Sequence, residues 1–502
     1  MPLALVRQDL VDNPYMSEVI LVLYVVTLLI LFTFGAHGFV MVYHYWKQRG
    51  SIAHFPASRP EPPVTVQLPI YNELYVVNRL IDSVCRLDYP KEKLEIQVLD
   101  DSTDETVDVV RETVANYRAQ GYDIHHIRRG SRQGFKAGAL QYGLERARGE
   151  YVAIFDADFV PQSAFLRATL PFFENPKIGL VQTRWEHLNG EFSLLTRAQA
   201  IALDGHFVIE QEVRNKAGYF INFNGTGGIW RKSAIEDAGG WHSDTLTEDL
   251  DLSYRAQLKG WGFKYLVDFT SPAELPAEVT ALKSQQFRWT KGAIETARKI
   301  LPQVWKSNFP LRLKIHSTFH LTNNIVFPFI LLAGILNVPL VYIKHKGLHD
   351  QYFQFMSVFV LAFVGSFLLY LFSQRAVYGD WRRRILLFPL FMAGSMGFAV
   401  NNSRAVFQAL FKRRSEFVRT PKYRIEQKKD SWMAKRKYTQ AKLDWVVVAE
   451  LLLAVYCLFG VASSIYFLEI AAIPFQLLYF LGFSFVSWLS IKHALDARKA
   501  RP

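Results

Sequence analysis

Long uncharged apolar runs alternate with polar stretches along this chain. Five of the runs contain no Asp, Glu, Lys or Arg, namely residues 19–46, 315–343, 352–373, 451–468 and 470–491. Each is about long enough to cross a hydrocarbon core of roughly 30 Å as a helix. The pattern therefore predicts an integral membrane protein with five helical spans.

The segment from Val64 to about Phe269 has a different pattern, in which short apolar runs alternate with helical stretches. This alternation is typical of a mostly parallel α/β sheet. The predicted strands are Val64–Leu68, Leu94–Leu99, Ile124–Ile127, Tyr151–Phe155 and Gly179–Thr183, and the predicted helices cover about 73–86, 104–119, 136–148 and 163–174. Pro56, Pro60, Pro62 and Pro63 predict a linker just before this domain.

The charged residues predict the topology. The net charge of +13 comes from basic residues beside the apolar runs, as the positive-inside rule expects, and this argues against nucleic-acid binding. Residues 385–411 lie between two strongly basic flanks, so we interpret them as interfacial or re-entrant rather than as a sixth span. The N-terminus is then outside, while the α/β domain and the basic C-terminal tail are cytoplasmic. The amphipathic segment 280–318 is predicted to lie in the membrane interface.

Two carboxylates follow the predicted strand Tyr151–Phe155. Asp156 and Asp158 stand at its carboxyl end, where open α/β sheets place their ligands. Mg²⁺ prefers one or two carboxylates together with phosphate oxygens, so the pair suits a divalent cation that carries a diphosphate. The alternative is a solvated turn. The two cysteines, Cys85 and Cys457, lie in unlike regions and predict neither a disulfide nor a thiolate metal site.

Polar residues also follow the first two predicted strands. Glu73, Asp100 and Asp101 leave neighbouring parallel strands at one sheet edge and would form a pocket for the base and ribose of a nucleotide. The alternative is that Asp100, Ser102 and Thr103 only cap the helix that starts near Asp104. Lys136 opens a helix, where a cation opposes the helix dipole unless an anion such as phosphate is near. A solvated surface lysine is the alternative there.

The order of these motifs resembles a known family. The motifs are Pro-Ile-Tyr-Asn-Glu73, Asp100-Asp101-Ser102, Phe135-Lys-Ala-Gly138, Asp156-Ala-Asp158, Phe223-Asn-Gly-Thr-Gly-Gly228, Thr247-Glu-Asp249 and Gln285-Gln-Phe-Arg-Trp289. Together they resemble the processive membrane glycosyltransferases of family 2, which include cellulose, chitin and hyaluronan synthases. Within this family the chain is most similar to the plant cellulose-synthase-like mannan and glucan synthases. The stretches that carry this likeness are Val66-Gln-Leu-Pro-Ile-Tyr-Asn-Glu73, Gln97-Val-Leu-Asp-Asp-Ser-Thr-Asp104, Phe223-Asn-Gly-Thr-Gly-Gly-Ile-Trp-Arg231 and Gly260-Trp261.

The resemblance implies a fold and a division of the chain. The fold is an α/β GT-A (Rossmann-like) catalytic domain inserted in an α-helical transmembrane bundle. The implied division is a tail and first transmembrane helix in 1–50, the cytoplasmic GT-A domain in 51–280, interfacial helices in 281–318, two spans in 319–373, an interfacial segment and basic gating loop in 374–443, and two spans with a basic tail in 444–502.

The resemblance also implies roles for residues. Asp249 is the general base, which removes a proton from an acceptor hydroxyl as that oxygen attacks the anomeric carbon in one inverting step. Asp156 and Asp158 hold Mg²⁺ or Mn²⁺. The nucleotide sugar is bound by Tyr71, Glu73, Asp100, Asp101, Lys136, Asp156, Gln285, Arg288, Thr420 and Lys422. The acceptor is bound by Asn224, Gly225, Thr226, Glu248 and Trp289.

Several of these assignments have a purely structural alternative. An acid at position 249 also stabilises a helix N-terminus, and the sequence leaves open whether burial or a like charge raises its pKa. A helix would place Gln285, Arg288 and Trp289 on one face, which also fits an ordinary interfacial helix. Thr420 and Lys422 belong to a segment like the gating loop of the family, in which Arg419 replaces the usual valine. The alternative for that segment is a basic stretch that meets anionic lipid.

His206 and Glu210 are one helical turn apart and resemble a pair in the mannan-synthase branch. We expect them to form a structural hydrogen bond, and a metal-binding role is the alternative.

The predicted function is an inverting, processive transferase that extends a β-linked, 1,4-type polysaccharide and passes it across the plasma or inner membrane. UDP-glucose is the favoured donor and GDP-mannose the alternative. The expected partners are the nucleotide sugar, the growing polysaccharide and the lipid bilayer, with accessory export proteins or a second copy as further candidates and no nucleic acid. The rival functions are single transfer to a membrane lipid, and a transporter or scaffold that only binds nucleotide.

Overall fold

The computed structural model describes residues 13–48, 61–347, 349–413, 415, 418–432, 435–438 and 444–499. Its soluble part is built on one mixed sheet of seven strands in the order β3-β2-β1-β4-β6-β5-β7. The strands are β1 Val64–Ile70, β2 Leu94–Asp100, β3 Asp123–Ile127, β4 Tyr151–Ile154, β5 Ile178–His187, β6 Gly228–Arg231 and β7 Gly262–Ala273. Pro56, Pro60 and Phe417 lie outside the described residues.

The first five strands confirm the predicted ones within a few residues. Strands β1, β2, β3 and β4 pair in parallel, with β1 between β2 and β4. Their interior positions are apolar and fully buried, for example Val66, Ile96 and Ala153, because helices cover both faces of the sheet. The expected α/β fold class is therefore correct, and the carboxyl ends of β1, β2 and β4 meet at one edge.

The sequence did not reveal β6 and β7. Strand β6 has only four residues and lies antiparallel between β4 and β5. Strand β7 carries exposed charges such as Asp268, and its pairing with β5 shifts register between Thr183 and Arg184. Short or irregular strands like these lack the unbroken apolar run that predicts a buried strand.

The helices of the domain are Val77–Cys85, Thr106–Ala119, Phe135–Leu144, Phe165–Thr169, Leu194–Asp204, Gln211–Lys216, Lys232–Asp237 and Glu248–Leu258, with a π-helical segment at Gly205–Glu210. The four predicted helices are all present, although each is shorter than expected. A long helix, Val279–Lys306, follows the sheet and contains Gln285, Arg288 and Trp289, so we call it the motif helix.

In the part of the chain that the structure describes, five helices are long and apolar enough to cross a membrane. They are Pro14–Gln48, Leu311–His345, Asp350–Val377, Trp445–Tyr466 and Ile470–Ala497. A further pair, Trp381–Gly397 and Ala399–Leu410, is bent by 45°, which fits either a broken span or a re-entrant loop. The predicted interfacial or re-entrant character of 385–411 therefore stays a prediction.

Small residues allow these helices to approach closely. A Cβ atom built on Gly38 would lie 3.0 Å from the carbonyl oxygen of Gly365, and one on Gly482 would lie 2.1 Å from that of Ala393. Such contacts between small residues are typical of helices packed in lipid, where there is no hydrophobic force between the helices.

A cavity of about 840 Å³ lies among these helices, and we call it the membrane cavity. Its wall is rich in aromatic rings, among them Phe32, Phe319 and Tyr479. Asn323, which precedes the helix Val326–His345, and Lys344, in the last turn of that helix, both line the cavity. A helix of twenty residues is about 30 Å long, so the cavity extends over about the thickness of a hydrocarbon core.

Candidate active site

A cavity of about 210 Å³ opens at the carboxyl edge of the sheet, and we call it the reaction cavity. Strands β1, β2 and β4 end there, so the residues that follow them converge although they are far apart in sequence. The predicted site residues that line it are Tyr71, Glu73, Asp101, Lys136, Asp156, Asp158, Asn224, Gly225, Glu248, Asp249, Gln285, Arg288, Trp289, Thr420 and Lys422. Asp158 and Asp249 therefore face one cavity.

Each carboxylate after β4 contacts a lysine. Lys136 Nζ lies 2.5 Å from Asp156 Oδ1, and Lys422 Nζ lies 2.5 Å from Asp158 Oδ2. Burial raises the pKa of Asp156 even though Lys136 opposes the shift. Burial alone would lower the pKa of Lys136, but Asp156, Glu248 and Asp249 raise it. Lys136 is therefore a partly buried, ion-paired cation within the cavity and not a solvated surface lysine.

The donor set after β4 suits a hard divalent cation. Asp156 and Asp158 offer carboxylate oxygens, and the ion pairs with lysine that the structure gives them involve one oxygen of each. Mg²⁺ and Mn²⁺ are bound by carboxylates, water and substrate phosphates. The two residues thus fit a metal that is completed by a diphosphate.

Asp249 stands in the first turn of the helix Glu248–Leu258, as predicted. Burial and, second, the neighbouring charge of Glu248 raise its pKa to about 7, while Lys136 lowers it. The sequence had left open which cause operates, and here burial is the larger one. A carboxyl group with a pKa near neutrality is suited to accept a proton at physiological pH.

The glycine-rich loop before β6 lies against Asp249. Gly225 has φ +80, and a Cβ atom there would come within 3.1 Å of Asp249 Oδ2. The carbonyl of Gly225 accepts a hydrogen bond of 2.9 Å from Lys136 Nζ. The loop can follow this path because glycine tolerates the left-handed backbone conformation.

Two predicted ligand-binding residues do not line the reaction cavity. Asp100 is buried beneath the loop after β2, where its carboxylate accepts hydrogen bonds from the Ser102 amide and from His126. It also does not cap the next helix, because Asp104 accepts the bond from Thr106 at that end. Asp100 thus fixes the loop that presents Asp101 to the cavity.

Thr226 is the second of these residues. It is fully buried, and its hydroxyl accepts a hydrogen bond of 2.9 Å from the amide of Asp156. It therefore holds the backbone of Asp156 in place and does not line the cavity, contrary to the predicted acceptor-binding role.

The motif helix forms the opposite wall of the cavity. Arg288 donates a hydrogen bond of 2.8 Å to Thr420 Oγ1 and another to the carbonyl of Val418. Burial lowers the pKa of Arg288 to about 10, although Glu248 and Asp156 oppose the shift. Thr420 and Lys422 thus lie at the cavity, and Thr420 is bonded to the helix that carries Arg288 and Trp289.

Sequence reasoning missed two arginines in the cavity wall. Arg419 Nη1 lies 3.1 Å from Glu73 Oε1, and the guanidinium stacks over the ring of Tyr438 at 3.9 Å. Burial raises the pKa of Glu73 to about 8, although Arg419 opposes the shift. The guanidinium of Arg132 lies 3.3 Å from the centre of the Tyr71 ring. The departure at Arg419 from the family pattern was the one signal for the first contact, and the sequence held none for the second.

The expected hydrogen bond between His206 and Glu210 is confirmed. His206 Nδ1 lies 3.2 Å from Glu210 Oε2, which also accepts a bond of 2.9 Å from Arg214.

The α/β domain is similar to known proteins. Residues 62–292 match the family model described as "Glycosyltransferase like family 2". The chain is 47% identical over 251 residues to a probable glucomannan 4-beta-mannosyltransferase 4 of Oryza sativa subsp. japonica. This aligned region covers 49% of this chain and 46% of that protein. It is 46% identical over 248 residues to glucomannan 4-beta-mannosyltransferase 2 of Arabidopsis thaliana, covering 48% and 46%. The match thus spans about half of the length of these relatives.

A solved structure supports the fold. The mannosyltransferase PcManGT from Pyrobaculum calidifontis, solved in complex with GDP-Man and Mn²⁺, superposes with a TM-score of 0.55 at 19% sequence identity. The superposition covers 79% of this chain and all of that one. At this identity the likeness concerns the GT-A fold alone.

Proposed function

We propose, from the premise that residues 62–292 form a glycosyltransferase family 2 domain, that the protein transfers mannosyl units from a nucleotide sugar to a growing β-1,4-linked polysaccharide with inversion at the anomeric carbon. The observation that carries this proposal is that Asp156, Asp158 and Asp249 line one cavity with Arg288 and Trp289 of the motif helix. Inverting transfer from a nucleotide sugar needs a base for the acceptor hydroxyl and positive charge for the leaving diphosphate. Asp249 could be the base, and Arg288 with a metal held by the two aspartates could supply the charge. Trp289 could stack on the acceptor sugar.

Asp249 is the proposed catalytic base. Its raised pKa allows it to take the proton of the acceptor hydroxyl at neutral pH, and its contact with Gly225 sets it beside the proposed acceptor loop. Asn224 and Trp289 would hold the acceptor sugar on that side of the cavity.

The leaving diphosphate is proposed to lie on the other side, where cations gather. Lys136, Arg288 and Lys422 all line the cavity near the two carboxylates, and Arg has the planar fork that binds phosphate in a bidentate way. Asp156 and Asp158 would hold a divalent metal, which would neutralise the diphosphate charge. The Mn²⁺ in the fold neighbour is consistent with this assignment.

The proposed donor is a mannose nucleotide and not UDP-glucose. No residue of the sequence separates the two sugars, so the expectation of UDP-glucose had no specific residue to support it. The relatives that are nearly half identical over the catalytic domain are named as mannosyltransferases, and the fold neighbour was solved with GDP-Man. GDP-mannose is therefore the donor to test first.

Polymer extension and export are further parts of the proposal. The membrane cavity extends along the helix Val326–His345, and its aromatic wall would cover the apolar faces of sugar rings. With the basic loops on the cytoplasmic side, the soluble domain would face the donor pool and the polymer would leave through the helices.

The test uses the purified full chain in detergent or nanodiscs. Radiolabelled GDP-mannose and UDP-glucose are supplied separately with Mn²⁺, Mg²⁺ or EDTA, and any product is digested with β-1,4-mannanase or β-1,4-glucanase. We expect a metal-dependent product from GDP-mannose that mannanase degrades.

The matched variant for this test is Asp249→Asn. It should lose activity by about 10²- to 10⁴-fold while GDP binding stays within a few-fold of the native value, because the base acts after the donor is bound. A single labelled sugar on a lipid, or an Asp249→Asn variant with full activity, would contradict the proposal.

A further inference from the structure

A row of hydrogen-bonded side chains leads away from the reaction cavity beside the acceptor loop. Asn224 Nδ2 lies 3.2 Å from His206 Nε2, and the other ring nitrogen of His206 lies 3.2 Å from Glu210 Oε2. Glu210 Oε2 accepts a bond of 2.9 Å from Arg214, and Gln211 Nε2 donates one of 2.8 Å to Asn224 Oδ1. Asn224 is thus connected to the Glu210–Arg214 ion pair.

The local backbone explains how this row forms. Residues Gly205–Glu210 are π-helical and run directly into the helix Gln211–Lys216. A π-helical segment shifts the side chains around the helix axis, and such segments are often found at functional sites. Here it turns His206 toward Asn224 and still leaves Glu210 within reach of Arg214, four residues later.

The far end of the row lies in the membrane cavity. Glu210 and Arg214 both line that cavity, together with His37 and Asn323. Asn224 lines the reaction cavity, so the row joins one cavity to the other. The ring of His37 stacks on that of Phe319 in the same wall, with centroids 4.7 Å apart and 12° between the planes. An aromatic platform therefore stands close to the ion pair.

Arg214 is only 4% exposed, and among the residues that the structure describes its Nη1 atom has no hydrogen-bond partner. A buried donor without a partner costs free energy. Because Glu210 already balances the charge of Arg214, a ligand beside the pair is best neutral, and the Glu210 side chain, which is 27% exposed, can accept a hydrogen bond from it. A sugar hydroxyl beside a flat ring has this chemistry.

We propose that Glu210 and Arg214 form a sugar-binding subsite at the junction of the reaction cavity and the membrane cavity, which holds a unit of the chain behind its reacting end. The ligand class is a neutral, hydroxyl-rich oligosaccharide. The subsite rests on the proposed function, since it presupposes a sugar acceptor in the reaction cavity. His206 links the subsite to Asn224 without lining either cavity.

The test measures transfer from GDP-mannose to β-1,4-manno-oligosaccharides of increasing length by the full chain in nanodiscs. For the native protein we expect KM to fall with acceptor length until the subsite is filled. For Arg214→Gln we expect a loss that grows with length and reaches about tenfold in KM for the longest acceptors, equal to about 1.4 kcal/mol. Arg214→Lys should restore part of the length dependence, because it keeps a cation.

The control is Lys216→Gln, on the same short helix, where Lys216 pairs with Glu212 outside the row. It should leave the dependence on length unchanged. If Arg214→Gln does not fold, Glu210→Gln is the second variant to measure. It should also raise KM for long acceptors more than for short ones. GDP binding and thermal unfolding verify that each variant is folded.

The outcomes separate the two proposals. If the native protein transfers no mannose to any acceptor, the proposed function fails. If it transfers mannose but each row variant lowers activity equally for every acceptor length, the ion pair is only structural and the subsite is overturned.

Discussion

The carboxylate of Asp249 packs directly against the backbone of Gly225. A Cβ atom at position 225 would lie 3.1 Å from Asp249 Oδ2 and 3.4 Å from Lys136 Nζ. The proposed base and the proposed acceptor loop are therefore in contact, and the spacing between them depends on a residue without a side chain.

We expect Gly225→Ala to lower kcat by about 10- to 100-fold, because a small displacement of reacting groups is costly. Donor binding should change little. Gly121→Ala is the matched control, because Gly121 has φ +82 and open space around it. An alanine there has the same backbone strain, but its Cβ atom meets no neighbouring atom. Equal effects of both substitutions on kcat would contradict this explanation.

The rate should depend on pH through Asp249. A base must be deprotonated, and the pKa of Asp249 is raised to about 7, so kcat should fall about tenfold per pH unit below 7 and level off above it. Glu248→Gln removes the like charge that contributes to the raised pKa, so the fall should move to lower pH. The measurement is a set of pH–rate profiles at saturating donor, and a profile of Glu248→Gln displaced toward higher pH would refute the assignment.

The attraction between Arg419 and Glu73 should be strongest at high pH, although ionisation of the buried Glu73 itself lowers the stability of the fold as pH rises toward about 8. The pKa of Glu73 is raised to about 8, so its carboxylate forms above that pH, and the attraction to Arg419 is lost as pH falls through it. We expect Arg419→Val to destabilise by about 2 kcal/mol at pH 9 and by much less at pH 6. Thermal unfolding of Glu73→Gln, of Arg419→Val and of the double variant measures the coupling free energy between the two side chains. This coupling free energy should nearly vanish at pH 6.

A buried ion pair ties the motif helix to the membrane helices. Lys283 Nζ lies 2.6 Å from Glu450 Oε2 and 2.9 Å from Ser490 Oγ. Glu450→Leu alone leaves a buried ammonium without its counter-ion, and we expect a loss of about 3–5 kcal/mol. Lys283→Met combined with Glu450→Leu should recover most of it. Thermal unfolding in detergent measures the stabilities of the native protein, the single variant and the double variant. A double variant less stable than Glu450→Leu would contradict this prediction.

Much of the fold could be predicted because it depends on local patterns. The apolar runs specify the long helices, and the short runs in Val64–Ile70, Leu94–Asp100 and Tyr151–Ile154 specify buried strands. Parallel strands end at one sheet edge, so the motifs after them had to meet, and Asp101, Asp156 and Asp158 do so in the reaction cavity. Strand β6 was missed because four residues carry too little pattern.

The remaining features depend on contacts between distant parts of the chain. The position of Lys422 against Asp158 joins residues 264 positions apart, and no local pattern encodes it. The same is true of the burial that raises the pKa of Asp249 and of the turn that hides Asp100 beneath its loop. The sequence alone predicted the candidate site residues, because motif and strand are local. Only the tertiary structure decided which of them face one another and how dry their surroundings are, because burial is a property of the packed whole.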